Sequence, residues 1–108
     1  MKLLLASSST WRKQLLESTG LSVQSVSPDV DERTIVGDTP VHTAALRAKA
    51  KALWVWSNFE ETSALVIGAD QVCHLNGQSF GKPDNPQQWF ERLKLFRGRT
   101  HTLSTGVF

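Results

Sequence analysis

Residues 64–69 form a continuous apolar run that ends in an aspartate, Asp70. Uninterrupted apolar runs of this length are typical of strands that are buried on both faces. The strand pattern continues to Leu75 and reaches Asn76-Gly77, a pair typical of the two-residue type I′ turn of a hairpin. The chain is therefore expected to fold around a buried strand that carries a carboxylate where its most apolar part ends.

The other segments alternate between strand-like and helix-like patterns. Strands are predicted at residues 2–6, 21–26, 78–81 and 100–108, and helices at residues 11–18, 40–56 and 86–97. The helices follow capping residues, with Thr39-Pro40 and Asn85-Pro86 as the clearest starts. No repeat or linker interrupts the pattern, so residues 1–108 are interpreted as one α/β domain with a mixed sheet and flanking helices.

The composition excludes several classes of protein. The chain has 108 residues, 40% of them hydrophobic, and a net charge of +2, which gives no argument for a nucleic-acid or membrane partner. Its opening apolar run, Leu3 to Ala6, is too short for a signal peptide or for a membrane span of about 20 residues. Cys73 is the single cysteine, which excludes an internal disulfide. A soluble, cytoplasmic protein is expected.

The last predicted strand stops at the apolar pair Val107-Phe108. An edge strand with this ending suggests that further residues are needed to complete the core, so we interpret the chain as truncated at its C-terminus. The alternative is a terminal strand in the middle of the sheet. Trp54 also lies off the apolar stripe of its helix, so exposed apolar surface and a homo-oligomer are both possible consequences of truncation.

A serine-rich turn between a strand and a helix is the first feature that could carry chemistry. Ser7-Ser8-Ser9-Thr10 precedes a helix with Arg12 and Lys13 in its first turn. Helix N-terminal N–H groups attract phosphate, and an arginine can bind phosphate oxygens in a bidentate manner. The alternative is a plain capped helix with two solvated charges, because no glycine-rich loop marks the turn.

Asp70 is the second such feature, since ligands of open α/β sheets gather at the carboxyl ends of strands. It could act as a general base or hold a metal ion, or it could simply bond to a neighbouring loop. Simple hairpin register places Lys82 opposite Gln71, on the face away from Asp70. Lys82 can join Asp70 only if Pro83 breaks the strand or a bulge redirects the side chain.

Three further features are weaker. Glu32, beside Asp31, could supply a second carboxylate for a metal, although a solvated acidic loop is the simpler interpretation. Lys49 lies at the edge of the apolar stripe of its helix, where it could extend along the surface or reach into a cleft. Cys73 and His74 have no partners at metal-ligand spacing, so they do not predict a metal site.

Together these segments resemble the Maf family, the septum-formation-inhibitor-like nucleotide pyrophosphatases. The similar segments, in family order, are residues 5–12, 31–32, 45–50, 67–72, 81–83 and 98–106. Trp11, and Gln71 after Asp70, resemble the branch that acts on 7-methyl-GTP, whereas branches acting on dTTP and UTP usually have arginine and threonine there. Thr10 stands where the family usually has proline, and the chain resembles only the N-terminal half of family members.

The resemblance implies a site and a reaction. Ser9, Arg12, Lys49 and Lys82 would hold a nucleotide triphosphate, with Mg²⁺ or Mn²⁺ near Asp70 and Glu32 as the cofactor. Asp70 would deprotonate a water that attacks the α-phosphorus, and Trp11 and Gln71 would select 7-methyl-GTP. The alternative function is that of a catalytically incompetent half-domain, acting as a nucleotide-binding or division-related interaction module.

Overall fold

A computed structural model describes residues 2–60 and 63–108 of the chain. Its elements in order are β1 (Lys2–Ala6), α1 (Thr10–Glu17), β2 (Val23–Val26), a 3-10 turn (Glu32–Thr34), α2 (Pro40–Asn58), β3 (Ala64–Leu75), β4 (Gln78–Phe80), α3 (Pro86–Phe96) and β5 (Thr102–Val107). They form a five-stranded mixed sheet with flanking helices, which confirms the predicted α/β class. Within the described ranges no helix is both long and apolar enough to cross a membrane.

β3 is the central strand, and its two edges have different partners. One edge pairs antiparallel with β5 along residues 69–74. The other edge pairs first with β1, in parallel along residues 64–68, and then with β4, antiparallel along residues 73–75. Among the described residues, 69–72 have no strand partner on this second edge. The gap between the end of β1 and the end of β4 leaves the edge of β3 open next to Asp70.

Helix α2 covers one face of the sheet at very short range. Its buried side is made of small residues, chiefly Ala44, Ala48 and Ala52. A Cβ added at Gly68 of β3 would overlap the carbonyl oxygen of Ala48, and one added at Gly106 of β5 would lie 2.6 Å from the carbonyl oxygen of Ala44. The helix can therefore rest almost directly on the backbone of both strands, since neither glycine has a side chain.

The opposite face of the sheet is covered less completely. Leu65, Leu103 and Val107 point away from α2 and are exposed, and the described part of the chain buries no residue of α3. The expected exposed apolar surface is therefore present, and its use in a homo-oligomer stays a prediction. Trp54 does not contribute to it, because it packs against the core cluster; Trp56 is exposed instead.

The local signals at element ends are mostly confirmed. Ser9, Thr39 and Asn85 cap α1, α2 and α3, each through a side-chain oxygen that accepts from a backbone N–H three residues later. Asn76 and Gly77 both have positive φ, of 51° and 80°, as a type I′ turn requires. β4 ends one residue earlier than predicted, at Phe80, and the expected loop before α2 contains a 3-10 turn that begins at Glu32.

We predict that Gly68→Ala strongly destabilises the fold, because α2 would have to move off the sheet to make room for the methyl group. The expected loss of unfolding free energy is about 3 kcal/mol or more. Urea unfolding measures it, with Gly81→Ala as the control, since a Cβ at Gly81 would meet no atom within 4 Å. A Gly68→Ala variant as stable as the wild type would contradict the close packing of α2 on β3.

Candidate active site

A cleft of about 880 Å³ opens at the gap in the β3 edge. Its lining residues are 7–12, 27, 28, 30, 32, 33, 47, 51, 70–72 and 79–82. The walls are thus the turn after β1, the 3-10 turn, one side of α2, the open edge of β3 and the end of β4. Asp70 and Arg12 lie in the same cleft, so the two separate features that the sequence suggested are brought together.

The serine turn is fixed by internal hydrogen bonds. Ser7 is buried, and its Oγ accepts from the backbone N–H of Ser9 at 3.1 Å and from Arg12 Nη1 at 3.3 Å. Arg12 Nη1 also lies 3.3 Å from the carbonyl oxygen of Ala69, one of the β3 groups that the gap leaves without a strand partner. Arg12 therefore ties the start of α1 to the open edge of β3, and its remaining donors are available to a ligand.

Lys51 is the central cation of the site. Its Nζ lies 2.8 Å from Asp70 Oδ1 and 2.8 Å from Glu32 Oε2, so one ammonium bridges two carboxylates from different elements. The Lys51 side chain is 12% exposed and that of Asp70 7%. Asp70 Oδ2 is buried and has no hydrogen-bond partner among the described residues. A buried carboxylate oxygen without a hydrogen-bond partner costs folding free energy. Buried polar groups of this kind are often found at functional sites.

The surroundings shift the pKa values of Asp70 and Glu32 in opposite directions. Burial raises the pKa of Asp70 above its ordinary value, and the nearby Glu32 carboxylate adds to the rise, while Lys51 offsets them only in part. Partial burial also acts to raise the pKa of Glu32, but contact with Lys51 and the charge of Arg47 outweigh it, so the pKa of Glu32 is lowered. Asp70 is thus the stronger base of the pair.

The predicted role of Lys49 is not supported, because the structure does not bring this residue to the cleft. Its ammonium lies 5.8 Å from the centre of the Phe108 ring, and Arg47 and Lys51 occupy the cleft side of α2 instead. Two residues along an α-helix differ by about 160° around its axis, so Lys49 and Lys51 point in nearly opposite directions. Lys51 is nearer the centre of the alanine stripe, a signal that the sequence did contain.

Lys82 does line the cleft, although simple hairpin register placed it on the other face from Asp70. The register itself is as predicted, with Leu75 opposite Gln78 and Cys73 opposite Phe80. The pairing ends at Phe80, however, so Lys82 is not part of the ladder and its exposed side chain is free of strand alternation. The strand break anticipated before Pro83 is what allows Lys82 to join the site.

Trp11 and Gln71, the two predicted specificity residues, both border the cleft. Trp11 is 79% exposed, so its ring is available to a ligand. Gln71 lies opposite Thr105 of β5, and its Nε2 donates to Thr105 Oγ1 at 2.9 Å. The side-chain amide nitrogen of Gln71 thus already makes a cross-strand contact. Its carbonyl oxygen is the group that a ligand could meet.

The cleft places helix N–H groups and basic side chains beside a lysine-bridged carboxylate pair in an α/β protein, an arrangement that is chemically suited to an anionic ligand. Comparison with known families is more specific: the model of the Maf-like proteins matches residues 2–108. The chain belongs to this family.

Several relatives are proteins named for nucleotide hydrolysis. The chain is 42% identical over 105 residues to a nucleoside triphosphate pyrophosphatase of Streptomyces coelicolor, covering 97% of this chain and 51% of that protein. It is 39% identical over 106 residues to a 7-methyl-GTP pyrophosphatase of Albidiferax ferrireducens, with 98% and 52% covered. It is 37% identical over 107 residues to a dTTP/UTP pyrophosphatase of Thermotoga maritima, with 99% and 52% covered. The chain spans about half the length of these relatives.

We predict that Lys51→Met destabilises the protein by about 3 kcal/mol near neutral pH, because it leaves two carboxylates close together without their shared cation. The loss should shrink as the pH falls, because Asp70, whose pKa is raised by burial, takes up a proton and the repulsion between the two carboxylates disappears. Urea unfolding at neutral and at acidic pH measures the difference.

The matched control is Lys49→Met, two residues away on the same helix but outside the cleft. It removes the same charge and should cost less than about 1 kcal/mol at either pH. Equal losses for the two variants, or a Lys51→Met loss that grows on acidification, would contradict the bridging role of Lys51.

Proposed function

We propose that the cleft binds a nucleoside triphosphate and hydrolyses it to the monophosphate and pyrophosphate. The observation that carries the proposal is the meeting of two parts in one cleft: the Ser9–Arg12 helix start, suited to phosphate, and the Asp70–Lys51–Glu32 cluster, which holds a carboxylate with a raised pKa. The names of the relatives point to the same reaction class.

In the proposed reaction the phosphate chain lies along the basic wall of the cleft. Ser9 and the N–H groups that begin α1, Arg12, and Lys82 bind its oxygens, and water is held beside Asp70. The Asp70 carboxylate accepts a proton from that water, whose oxygen forms a bond to the α-phosphorus. The bond between the α-phosphorus and the bridging oxygen breaks, and pyrophosphate leaves with that oxygen. Positioning and charge neutralisation supply most of the rate gain.

The carboxylates also fit a divalent cation. Magnesium is usually held by one or two protein carboxylates together with phosphate oxygens and water. Asp70 Oδ2, which is buried and has no partner in residues 2–60 and 63–108, and the carboxylate of Glu32 match that donor set. No group of three or more histidine, cysteine or acidic residues in the described ranges could hold a metal by itself, so the substrate would complete the site. When bound, Mg²⁺ or Mn²⁺ would neutralise developing charge on the phosphates.

We predict that Asp70→Asn lowers pyrophosphate release at least about 100-fold, because it removes the general base. Nucleotide binding should persist, since the substitution takes one negative charge out of a site for an anion. Pyrophosphate release at saturating Mg²⁺ and calorimetric nucleotide binding are the two measurements. Asp84→Asn, an exposed aspartate outside the cleft, should match the wild type in both.

The two measurements separate the alternatives. Near-normal turnover of Asp70→Asn would remove Asp70 from catalysis. A wild-type chain that binds nucleotide without turnover would favour the non-catalytic binding module. A chain that binds no nucleotide would overturn the proposed function.

The preferred nucleotide in this proposal is 7-methyl-GTP. Its base carries a positive charge, and the exposed ring of Trp11 at the cleft could attract that charge by about 0.5–2 kcal/mol. Arginine at the same position would repel it. The carbonyl oxygen of the Gln71 side chain, next to Asp70, could accept a hydrogen bond from the base edge or the ribose. Relatives named for 7-methyl-GTP and for dTTP/UTP have similar identities to this chain, so overall identity does not favour either substrate. We propose that Trp11 and Gln71 set part of the preference.

We predict that Trp11→Arg lowers the preference for 7-methyl-GTP over dTTP and UTP by about tenfold, a change of about 1.4 kcal/mol. The measurement is kcat/KM for the three nucleotides. Trp56→Arg, which alters an exposed tryptophan of α2 outside the cleft, should leave the ranking unchanged. If the wild type prefers dTTP or UTP, or if Trp11→Arg has no effect on the ranking, the 7-methyl-GTP assignment fails while the pyrophosphatase proposal survives.

A further inference from the structure

Arg47 faces the cleft from α2, one helical turn before Lys51. Residues four positions apart lie on the same side of a helix, so the two cations stand next to each other along the cleft wall. The two side chains differ in the contacts that they make. Among the described residues the Lys51 ammonium contacts Asp70 and Glu32, whereas Arg47 lies within ion-pair distance of neither carboxylate.

Arg47 is nevertheless fixed in place. Its Nε donates to the backbone carbonyl oxygen of Ile35 at 2.9 Å. Ile35 is the residue that ends the 3-10 turn carrying Glu32. This hydrogen bond joins α2 to that turn and holds the guanidinium partly buried at the cleft wall. The terminal nitrogens Nη1 and Nη2 have no hydrogen-bond or ion-pair partner in residues 2–60 and 63–108, so four N–H donors remain.

Arg12, which lines the same cleft from the start of α1, has a comparable arrangement. One of its terminal nitrogens is anchored to Ser7 Oγ and the Ala69 carbonyl oxygen, and its other donors are available. Arg33 also borders the cleft, but its side chain is 91% exposed and pairs with Asp31. An anchored guanidinium loses less conformational freedom on binding than an exposed one. Arg12 and Arg47 are therefore the two preorganised arginines of the cleft.

The charge balance of the cleft also leaves the Arg47 guanidinium available to an anionic ligand. Five basic side chains and two carboxylates line it, and both carboxylates contact the same lysine. Arg47 acts on Glu32 through its charge but makes no ion pair with it among the described residues, so an anion bound beside this partly desolvated cation would be favourable.

We propose that Arg47 is a phosphate-binding residue: Nε anchors it to Ile35, and Nη1 and Nη2 bind oxygens of the phosphate chain from the α2 wall of the cleft, whereas Arg12 binds them from the start of α1. The inference rests on the proposed function, because it assigns Arg47 a role towards the same triphosphate. Arg47 was not among the residues that the sequence pattern singled out.

Binding of inorganic tripolyphosphate to the 108-residue chain, measured by calorimetry, tests the proposal without depending on turnover. Arg47→Gln should weaken binding by about tenfold or more, because a charged hydrogen-bonding group is lost. Arg47→Lys, which keeps the charge but not the planar fork, should weaken it less. Lys49→Gln removes one charge from the same helix outside the cleft and should change the affinity less than about twofold.

Circular dichroism at the binding temperature shows whether each variant is folded, and Arg47→Lys provides the comparison if Arg47→Gln unfolds. Arg47→Gln binding as tightly as the wild type, or Lys49→Gln losing as much affinity as Arg47→Gln, would overturn the proposal while leaving the proposed function intact. Absence of tripolyphosphate binding by the wild type would overturn the proposal as well, and nucleotide binding measured on the same chain would then decide whether the proposed function survives.

Discussion

The near contact between α2 and the backbone of β3 and β5 is the constraint on which the site depends. Because Gly68 and Gly106 have no side chains, the alanine side of α2 lies against the sheet itself rather than against a layer of large residues. A lysine on that helix can then reach a carboxylate on the underlying strand. With an ordinary layer of leucine or valine between them, Lys51 and Asp70 would be separated by several ångströms more.

The same proximity creates an electrostatic conflict that is only partly resolved. Asp70 is buried, faces a second carboxylate, and has one oxygen that no described residue hydrogen-bonds. Lys51 compensates for much of this, but the pKa of Asp70 still lies above its ordinary value. The ionised form of Asp70 therefore lowers the stability of the fold at neutral pH, and what the protein gains is a base of greater strength at the cleft.

Local sequence signals predict much of the fold, but they predict the site less completely. The Asn76-Gly77 turn, the helix start at Thr39-Pro40 and the apolar run before Asp70 each have one favoured structure, and each was predicted correctly. Lys49 was the expected site lysine, although Lys51 lies nearer the centre of the alanine stripe. Which side of that stripe borders the cleft depends on the rotation of α2 about its axis, which tertiary packing determines.

Lys82 shows a second limit of the sequence. Strand alternation predicts the direction of a side chain only while the ladder continues, and the ladder stops at Phe80. The gap in the β3 edge is a long-range property of β1 and β4 together, with no signal in either segment alone. That gap spans the distance from Gly68 to Cys73, roughly 16 Å of strand. Because the ends of two short strands set its width, lengthening or shortening β1 or β4 by a residue would narrow or widen the cleft without touching the alanine–glycine contact under α2.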